Sequence, residues 1–346
     1  MSTPRVAVIG YGFAGRCFHS YLVSLAPGLE LAGIASRDAA TRERIVAERG
    51  CRAYESFEQV LADPDIHVVV LATPNHTHTD LAITAMDAGK NVVSDKVMCL
   101  TLPDCDRMIE AARRNNVLLS VFQNRRWDGD FLTLQQAMRD GTLGTVKYIE
   151  MAWQGMGAWG GWRGQAEMGG GRFFDLGAHL ADQLALLFPQ AIESVYCRMH
   201  HDYTTTDVES EALLVATFAD GCTGVCDLSG MTTISKPRFR AHGDRASFVK
   251  YGLDPQEKAM IAGDIDAASE SPENYAIIHD KQTEIRVPTL AGRWRSFYEN
   301  IGDTLAGRAT LAVTPESVRR GIAILDAAKR SAQSGEVVRL ARHTGG

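Results

Sequence analysis

The sequence predicts an α/β fold in which a doubly wound parallel sheet is followed by an α+β domain with a large, mostly antiparallel open sheet. Up to residue 123, short apolar runs alternate with helical patterns, as in a parallel sheet covered by helices. From Thr145 onward, longer strands with alternating polar and apolar residues replace this pattern. A chain of 346 residues, 45% of them hydrophobic, is long enough for two cores. We therefore expect one domain over residues 1–123 and a second over residues 124–346.

The first domain is expected to alternate strictly between strand and helix. Each strand is a short apolar run of the kind that is covered on both faces, and each helix places apolar residues at helical spacing. The strands are predicted near residues 5–9, 29–35, 51–54, 66–72, 91–94 and 117–122. The helices are predicted near residues 13–25, 38–49, 57–62, 78–88 and 101–116.

The second domain is expected to carry the antiparallel sheet. Its strands at 210–218 and 222–228 are joined by Asp220-Gly221, a favoured hairpin turn. Leucines at helical spacing mark a helix through Phe188 that should cover one face of the sheet. Residues 264–274 are the most linker-like segment. The other strands are predicted near residues 145–156, 192–200, 237–243, 246–250 and 283–287.

A glycine-rich turn stands directly between the first strand and the first helix. Glycines at G-x-G-x-x-G spacing give a tight turn, close approach of a pyrophosphate, and close packing of helix on strand. The start of the following helix offers free N–H groups and a positive dipole end to phosphates. The turn therefore predicts a Rossmann-type dinucleotide site. Its predicted cofactor-binding residues are Gly10, Tyr11, Gly12, Phe13, Ala14 and Gly15.

The end of the second strand indicates which dinucleotide binds. An NAD site usually presents an acidic residue there to the ribose 2′-hydroxyl, but this strand ends in Ser36-Arg37. A hydroxyl and a planar guanidinium suit a 2′-phosphate. Asp38 comes too late and is expected to begin the next helix. Arg42 could add a second positive charge, although a solvated helix face explains it equally well. NADP is therefore favoured over NAD.

Two further segments carry candidate chemistry. Asp95 and Lys96 follow a short strand, and ligands of open parallel sheets lie beyond the carboxyl ends of strands. In the second domain, Asp175 and His179 are four residues apart and hence on one helix face. A carboxylate that holds one imidazole nitrogen fixes the tautomer and raises the basicity of the other. From the spacing alone, a surface pair is an equally good interpretation.

Composition excludes several other classes of function. The net charge of −6 argues against a nucleic-acid or anionic-membrane partner, and no apolar run approaches the ~18 residues of a membrane span. No secretory leader precedes the first strand, so we expect a cytoplasmic protein. The seven cysteines lack paired spacing, and Cys222 and Cys226 are expected to be buried free thiols. Neither they nor the histidine pairs suggest a complete ligand set, so no metal is predicted.

The segment from Thr73 to Lys96 also resembles one family closely. T-P-N-H-T-H, a helix, G-K-N-V-V and then D-K is similar to the glucose–fructose oxidoreductase, inositol dehydrogenase and MocA (Gfo/Idh/MocA) oxidoreductase family. That family usually has Glu-Lys-Pro at the end, whereas Val97 stands here in place of the proline. Its inositol dehydrogenase branch shares the D-L-G-x-H pattern at Asp175 to His179. The resemblance implies that Lys96, Asp175 and His179 form a catalytic set.

Further segments resemble the NADP-dependent scyllo-inositol dehydrogenase branch of this family. They are Phe18-His19, the N-R-R-W-D-x-D-F-L pattern at 124–132, and residues 237–252. The resemblance implies that Thr73, Asn75, His78 and Asn124 line the nicotinamide half of the cofactor, with Pro74, Asp95 and Lys96 beside them. It also implies that Trp162, Arg163 and Tyr298 close over it. Core aromatics and a surface charge would explain these last three equally well. Residues 154–161 depart from the branch, so the substrate could differ.

The function expected from these features is hydride transfer between NADP and a secondary hydroxyl or carbonyl of a polyol or cyclic sugar. The resemblance further implies a homodimer or homotetramer paired through the second sheet. Two alternatives remain open from the sequence. One is a glycosidase that uses tightly held NAD for transient oxidation, and the other is a dinucleotide and sugar sensor without turnover.

Overall fold

The computed structural model describes residues 3–340, which group into two compact units. The first unit comprises the described residues up to Asn124 together with Trp294–Arg319. The second comprises Arg125–Arg293 together with the described residues from Arg320 onward. This grouping adds residues 294–319, which lie in the predicted second domain, to the first unit.

The first unit is built on a six-stranded parallel sheet of the predicted Rossmann type. The strand order is β3-β2-β1-β4-β5-β6, which is a doubly wound arrangement. All four residues of the central strand β4 are fully buried, as its uninterrupted apolar sequence predicts. The strands are β1 (Arg5–Ile9), β2 (Glu30–Ala35), β3 (Arg52–Tyr54), β4 (Val68–Leu71), β5 (Asn91–Ser94) and β6 (Leu119–Val121).

Helices connect these strands close to the predicted positions. The first connection differs, because a π-helical segment, Ala14–His19, precedes a short α-helix where one continuous helix is predicted. Asp38 and Thr101 are the N-cap residues of their helices. The side-chain oxygen of each accepts a hydrogen bond from a backbone N–H in the first turn. The helices are α1 (Ser20–Ser24), α2 (Ala39–Arg49), α3 (Phe57–Ala62), α4 (His78–Asp87) and α5 (Leu102–Asn115).

The second unit is built on a nine-stranded sheet with the order β14-β13-β12-β11-β7-β10-β9-β8-β15. Its pairs are antiparallel except for β7 and β10, which run parallel. The predicted mostly antiparallel sheet is thereby confirmed, and β13 and β15 are additional strands. The strands are β7 (Val146–Gln154), β8 (Ile192–His200), β9 (Glu211–Phe218), β10 (Thr223–Ser229), β11 (Phe239–Gly243), β12 (Ser247–Lys250), β13 (Ala276–His279), β14 (Glu284–Val287) and β15 (Val338–Arg339).

Six helices complete the described chain: α6 (Gly129–Arg139), α7 (Arg172–Asp175), α8 (Gly177–Leu187), α9 (Gln256–Ile261), α10 (Ser296–Leu305) and α11 (Pro315–Ser334). Helix α8 covers the sheet as predicted, because a side chain at Gly224 of β10 would overlap Leu184. The later part of α11 covers the same sheet, since Ser331 accepts a hydrogen bond of 2.9 Å from the backbone N–H of Cys197 in β8. Two helices therefore lie here where one is predicted.

Aromatic packing explains why residues 294–319 join the first unit. Trp294 stacks on Phe18 with ring centroids 5.8 Å apart, and Phe297 of α10 meets Phe122 edge-on at 5.1 Å. Trp294 is fully buried. Burial of large rings against the end of β6 supplies a strong apolar contact between segments that are far apart in sequence.

Within residues 3–340, no helix combines the length and the apolar character that a membrane span requires.

Candidate active site

The glycine turn after β1 has the geometry that its spacing predicts. Gly10 has a φ of +99°, and a Cβ there would lie 2.5 Å from the carbonyl oxygen of Ala72. A Cβ at Gly15 would overlap the carbonyl oxygen of Gly10, so the helix can approach the strand only with glycine at this position. Gly12 is different, because a Cβ there would meet nothing within 4 Å. Its surroundings leave room for a ligand to approach the backbone, which fits a pyrophosphate.

The other residues of this turn have distinct surroundings. Tyr11 is buried, and its hydroxyl donates to Glu48 at 2.8 Å, while Arg49 donates to that hydroxyl at 3.2 Å. Burial, with Glu48, raises the pKa of Tyr11 above its usual value. Phe13 is 49% exposed, and Ala14 begins the π-helical segment. Phe13 is therefore accessible to a ligand, whereas the side chain of Tyr11 is buried and hydrogen-bonded within the fold.

At the end of β2, the basic residue Arg37 is exposed, whereas the carboxylate of Asp38 is already hydrogen-bonded. The Asp38 carboxylate accepts hydrogen bonds from the N–H and the hydroxyl of Thr41 as a helix cap. Arg42 donates to the carbonyl oxygens of Ser36, at 3.0 Å, and Arg37, at 2.9 Å. Arg37 itself is exposed. The guanidinium of Arg42 thus fixes the backbone that carries Ser36 and Arg37.

The loop after β4 is held mainly by its own polar side chains. Thr73 and Thr77 share a hydrogen bond between their hydroxyls at 2.7 Å, and Thr77 also bonds the carbonyl oxygen of Pro74. Asn75 is buried and opens a short 3₁₀ turn before α4. Asn124, which ends the first of the two chain segments of this unit, is also buried. These contacts fix Thr73, Pro74 and Asn75 at the carboxyl end of β4.

His78 lies entirely inside the first unit. Its Nδ1 is 2.8 Å from the carbonyl oxygen of Val97, and its Nε2 is 3.0 Å from that of Thr73. A neutral imidazole donates from one nitrogen only, so the ring can bond one of these carbonyls at a time. Burial lowers the pKa of His78, although Asp95 acts in the opposite direction. The side chain links the loop after β4 to the turn that carries Lys96.

Asp95 and Lys96 follow β5 directly, and the Lys96–Val97 peptide bond is cis. The carboxylate of Asp95 accepts a hydrogen bond of 2.7 Å from the backbone N–H of Lys96. Burial raises the pKa of Asp95, but His19, Lys96 and His78 outweigh it, and the pKa lies below its usual value. The acidic residue is therefore held ionised beside the lysine.

Sequence reasoning did not assign a role to His19, although Phe18-His19 belongs to the resemblance. His19 is fully buried, with Nε2 3.5 Å from an Asp95 oxygen and Nδ1 2.7 Å from the Tyr298 hydroxyl. Burial, with Asp95, raises the pKa of Tyr298 well above its usual value. Tyr298 is thus an interior neighbour of His19. The type of residue at position 19 was visible in the sequence, but its partner 279 residues away was not.

The second unit carries the other candidate residues. Asp175 ends α7 and His179 lies in α8, so a break at Leu176 divides what the sequence predicts as one helix. Asp175 forms an ion pair of 3.4 Å with Arg163, whose guanidinium lies 4.7 Å from the ring centroid of Trp162. His179 is 4% exposed. Within this unit, the structure therefore brings Trp162, Arg163 and Asp175 together.

The loop before α7 is fastened by a residue of that helix. Arg172 donates to the carbonyl oxygen of Gly157 at 2.6 Å and lies 4.8 Å from the ring centroid of Trp159. Glu209 accepts a hydrogen bond of 2.6 Å from the backbone N–H of Phe173, and burial raises the pKa of its carboxyl. These contacts hold the start of α7, and so the backbone that leads to Asp175.

The described residues contain no group of three or more histidines, cysteines or acidic residues that could hold a metal ion. Cys222 and Cys226 are buried free thiols, as expected. Burial raises the pKa of Cys222 to about 11 and that of Cys226 to about 12. Both side chains are therefore protonated thiols at neutral pH.

Comparison with known proteins identifies relatives along nearly the whole chain. Residues 4–123 match the family model described as an oxidoreductase family with an NAD-binding Rossmann fold. Residues 131–249 match the GFO/IDH/MocA C-terminal domain. The chain is 29% identical to the Bacillus subtilis scyllo-inositol 2-dehydrogenase (NADP(+)) IolW, over 98% of this chain and 97% of that protein. It is 33% identical to the Escherichia coli oxidoreductase YdgJ, over 88% and 89% of the two chains.

The solved structures agree with these relatives. A crystal structure from Klebsiella pneumoniae, assigned as an oxidoreductase, is 34% identical and superposes with a TM-score of 0.87. The superposition covers 98% of this chain and 95% of that one.

Two glycine variants separate the roles of the turn. We expect Gly12→Ala to leave the melting temperature within about 2 °C of wild type and to weaken dinucleotide binding at least about tenfold, because the added methyl group projects into open space. Gly15→Ala should lower both, because its methyl group overlaps Gly10. Thermal melts and a fluorescence titration with NADPH provide the measurements. Equal effects of the two variants would contradict this division.

Proposed function

Since the chain belongs to the Gfo/Idh/MocA family of NAD(P)-binding oxidoreductases, we propose that it is an NADP-dependent enzyme acting on a secondary hydroxyl or carbonyl of a polyol or cyclic sugar. The observation that carries the proposal is Lys96, which lies just beyond the carboxyl end of the buried parallel strand β5, at the same edge of the sheet as a glycine turn suited to a pyrophosphate. The relative IolW, which is a scyllo-inositol dehydrogenase, supports this class of substrate.

The end of β2 supports NADP over NAD. A ribose 2′-hydroxyl needs an acceptor there, and the nearby carboxylate of Asp38 is already bonded to Thr41. Arg37 is exposed, and Arg42 holds the backbone around it. A guanidinium beside a serine hydroxyl suits a doubly charged phosphate, which Arg binds through its planar fork.

The proposed catalytic residues are Lys96, Asp175 and His179. When bound, the dinucleotide would supply the acceptor for the hydride that leaves the alcohol carbon, or its donor in the reverse direction. His179 takes the hydroxyl proton as general base, and Asp175 holds its imidazole in the productive tautomer. The Lys96 ammonium stabilises the negative charge that develops on the oxygen. The ion pair between Asp175 and Arg163 supports this role, since it restrains the carboxylate.

The remaining cofactor-binding residues are proposed from the same resemblance. Contact with the cofactor is most direct where the residue type is polar and follows a strand end, as at Thr73, Asn75 and Asp95. His78 and Tyr298 are fully buried. We therefore propose that they affect the nicotinamide half of the cofactor indirectly, through the backbone groups and side chains that they contact.

We also propose that the open face of the nine-stranded sheet pairs subunits into a homodimer or homotetramer. Val215 and Val225 lie opposite one another on that face, and Leu213 beside them is 41% exposed. Apolar side chains in register on an uncovered sheet favour contact with another apolar surface.

Initial rates of NADP⁺ and NAD⁺ reduction test the proposal against scyllo-inositol, myo-inositol, D-glucose, D-xylose and sorbitol. We expect turnover with NADP⁺ on one of these classes. Copurified NAD without net reduction, together with glycoside cleavage, would support the glycosidase alternative instead. Binding of NADPH without turnover in either direction, with the matching ketones included, would support the sensor.

Substitution of the proposed catalytic residues should remove turnover while binding persists. We expect Lys96→Met and His179→Ala each to lower kcat by about 10²–10⁴-fold, the usual contribution of general acid–base groups. Lys147→Met and His200→Ala are matched controls, because both residues are exposed on the second sheet. Full turnover by either catalytic variant would remove that residue from the mechanism.

Cofactor preference should follow the end of β2. In the double variant Ser36→Asp, Arg37→Val, the ratio of kcat/KM for NADP⁺ to that for NAD⁺ should fall about 10- to 100-fold, since charge-assisted bonds to the phosphate are lost. Arg107→Val removes an exposed arginine of α5 that pairs with Asp104, and serves as the control. An unchanged ratio in the double variant would show that the phosphate is bound elsewhere.

A further inference from the structure

We propose that Trp153 is a positioning residue for His179, and that two buried arginines, Arg125 and Arg238, hold its indole in place. The proposal rests on the proposed role of His179 as general base. It assigns a function to Arg125 and Arg238, which lie in the two segments, 124–132 and 237–252, that resemble one branch of the family.

The contact between the two rings is direct. The imidazole of His179 and the indole of Trp153 are stacked, with centroids 6.0 Å apart and planes inclined by 27°. Trp153 is paired with Leu228 of β10, which lies on the sheet face covered by α8. Offset aromatic pairs prefer separations in this range. The indole therefore limits the rotation of the imidazole about its side-chain bonds.

The indole is in turn held by two cations. The guanidinium carbons of Arg125 and Arg238 lie 4.4 and 4.8 Å from its ring centroid. Both side chains are less than a tenth exposed, and a desolvated guanidinium interacts strongly with the electron-rich face of a Trp ring. Arg125 is fixed by Asp128 at 3.3 Å and by Glu257 at 2.6 Å.

The same arginines fasten the helix that carries His179. Arg238 donates to the side-chain oxygen of Gln183 at 3.1 Å, and the Gln183 amide donates to the carbonyl oxygen of Arg125 at 2.9 Å. Gln183 lies one turn beyond His179 on α8. Its neighbour Asp182 accepts two hydrogen bonds from Arg126, at 2.6 and 2.8 Å. The rotation of α8 and the plane of the imidazole are thus set by one buried network.

Filling space does not account for this arrangement. Arg238 Nε and Asp130 Oδ2 are both buried without a hydrogen bond and lie 3.8 Å apart, which costs free energy. Apolar residues of similar volume usually pack such an interior at least as stably as buried charges do. A network of paired charges specifies one orientation of the indole and of the helix, which apolar packing does less strictly.

The Trp153→Leu and Trp153→Phe variants test the proposal, with scyllo-inositol and NADP⁺ as the probe. We expect Trp153→Leu to lower kcat about 30-fold or more, as for a misplaced general base, with the KM for NADP⁺ within about twofold of wild type. Trp153→Phe keeps an aromatic face and should recover kcat to within about threefold. A Leu variant as fast as wild type, or a Phe variant as slow as Leu, would overturn it.

Two further measurements keep the result interpretable. If Trp153→Leu fails to fold, Arg238→Met keeps the indole but removes one of the two cations that hold it, and should lower kcat about tenfold at unchanged KM for NADP⁺; wild-type kcat would contradict the proposal. Histidine-labelled protein, assigned with His179→Ala, should show the His179 ring resonance shifted upfield by the indole and restored in Trp153→Leu. No turnover by wild type with any of the five test substrates or the matching ketones, with this shift present, would reject the proposed function and retain the contact. An unshifted resonance would reject the contact itself.

Discussion

Parallel pairing of β1, β4 and β5 is the constraint from which the first half of the candidate site follows. Ile9 pairs with Leu71, and Leu71 pairs with Ser94, so the three strands end side by side. Backbone bonds extend this register past the strands, since Ala72 donates to the carbonyl oxygen of Ile9 and Asp95 to that of Leu71, each at 2.9 Å. The glycine turn and the Asp95-Lys96 pair therefore lie at the same edge of the sheet, on either side of the end of β4.

Where the chain leaves a buried sheet, its backbone N–H and carbonyl groups no longer pair with neighbouring strands. These groups then need other hydrogen-bond partners within the protein. His78 meets this need for one of the carbonyls of Thr73 and Val97 at a time, and Asp95 meets it for the amide of Lys96. His19 then lies against the far oxygen of Asp95. In a low-dielectric interior such bonds strengthen one another. The two histidines are thus structural parts of the turn that aims the proposed catalytic lysine.

Local signals in the sequence predicted the elements that local physics determines. The Asp38 cap, the glycine turn and the hairpin at Gly221 each depend on residues only a few positions apart, and the structure confirms all three. Pairings across long separations were not predictable. Tyr298 reaches His19 only because Trp294 and its neighbours pack on the first sheet, and no periodicity within 294–319 indicates that partner.

The arginine-rich segments of the second unit are another case in which the sequence does not predict long-range pairings. In sequence, Arg125 and Arg126 form an isolated basic pair with no evident partner. In the fold, Arg126 meets Asp182 of α8, and Arg125 meets the indole of β7. Burial raises the pKa of Asp130, whose Oδ2 lies 3.8 Å from Arg238 Nε without a hydrogen bond. An interior that keeps such charges sacrifices stability for orientation. The element that gains the orientation is the helix on which His179 lies.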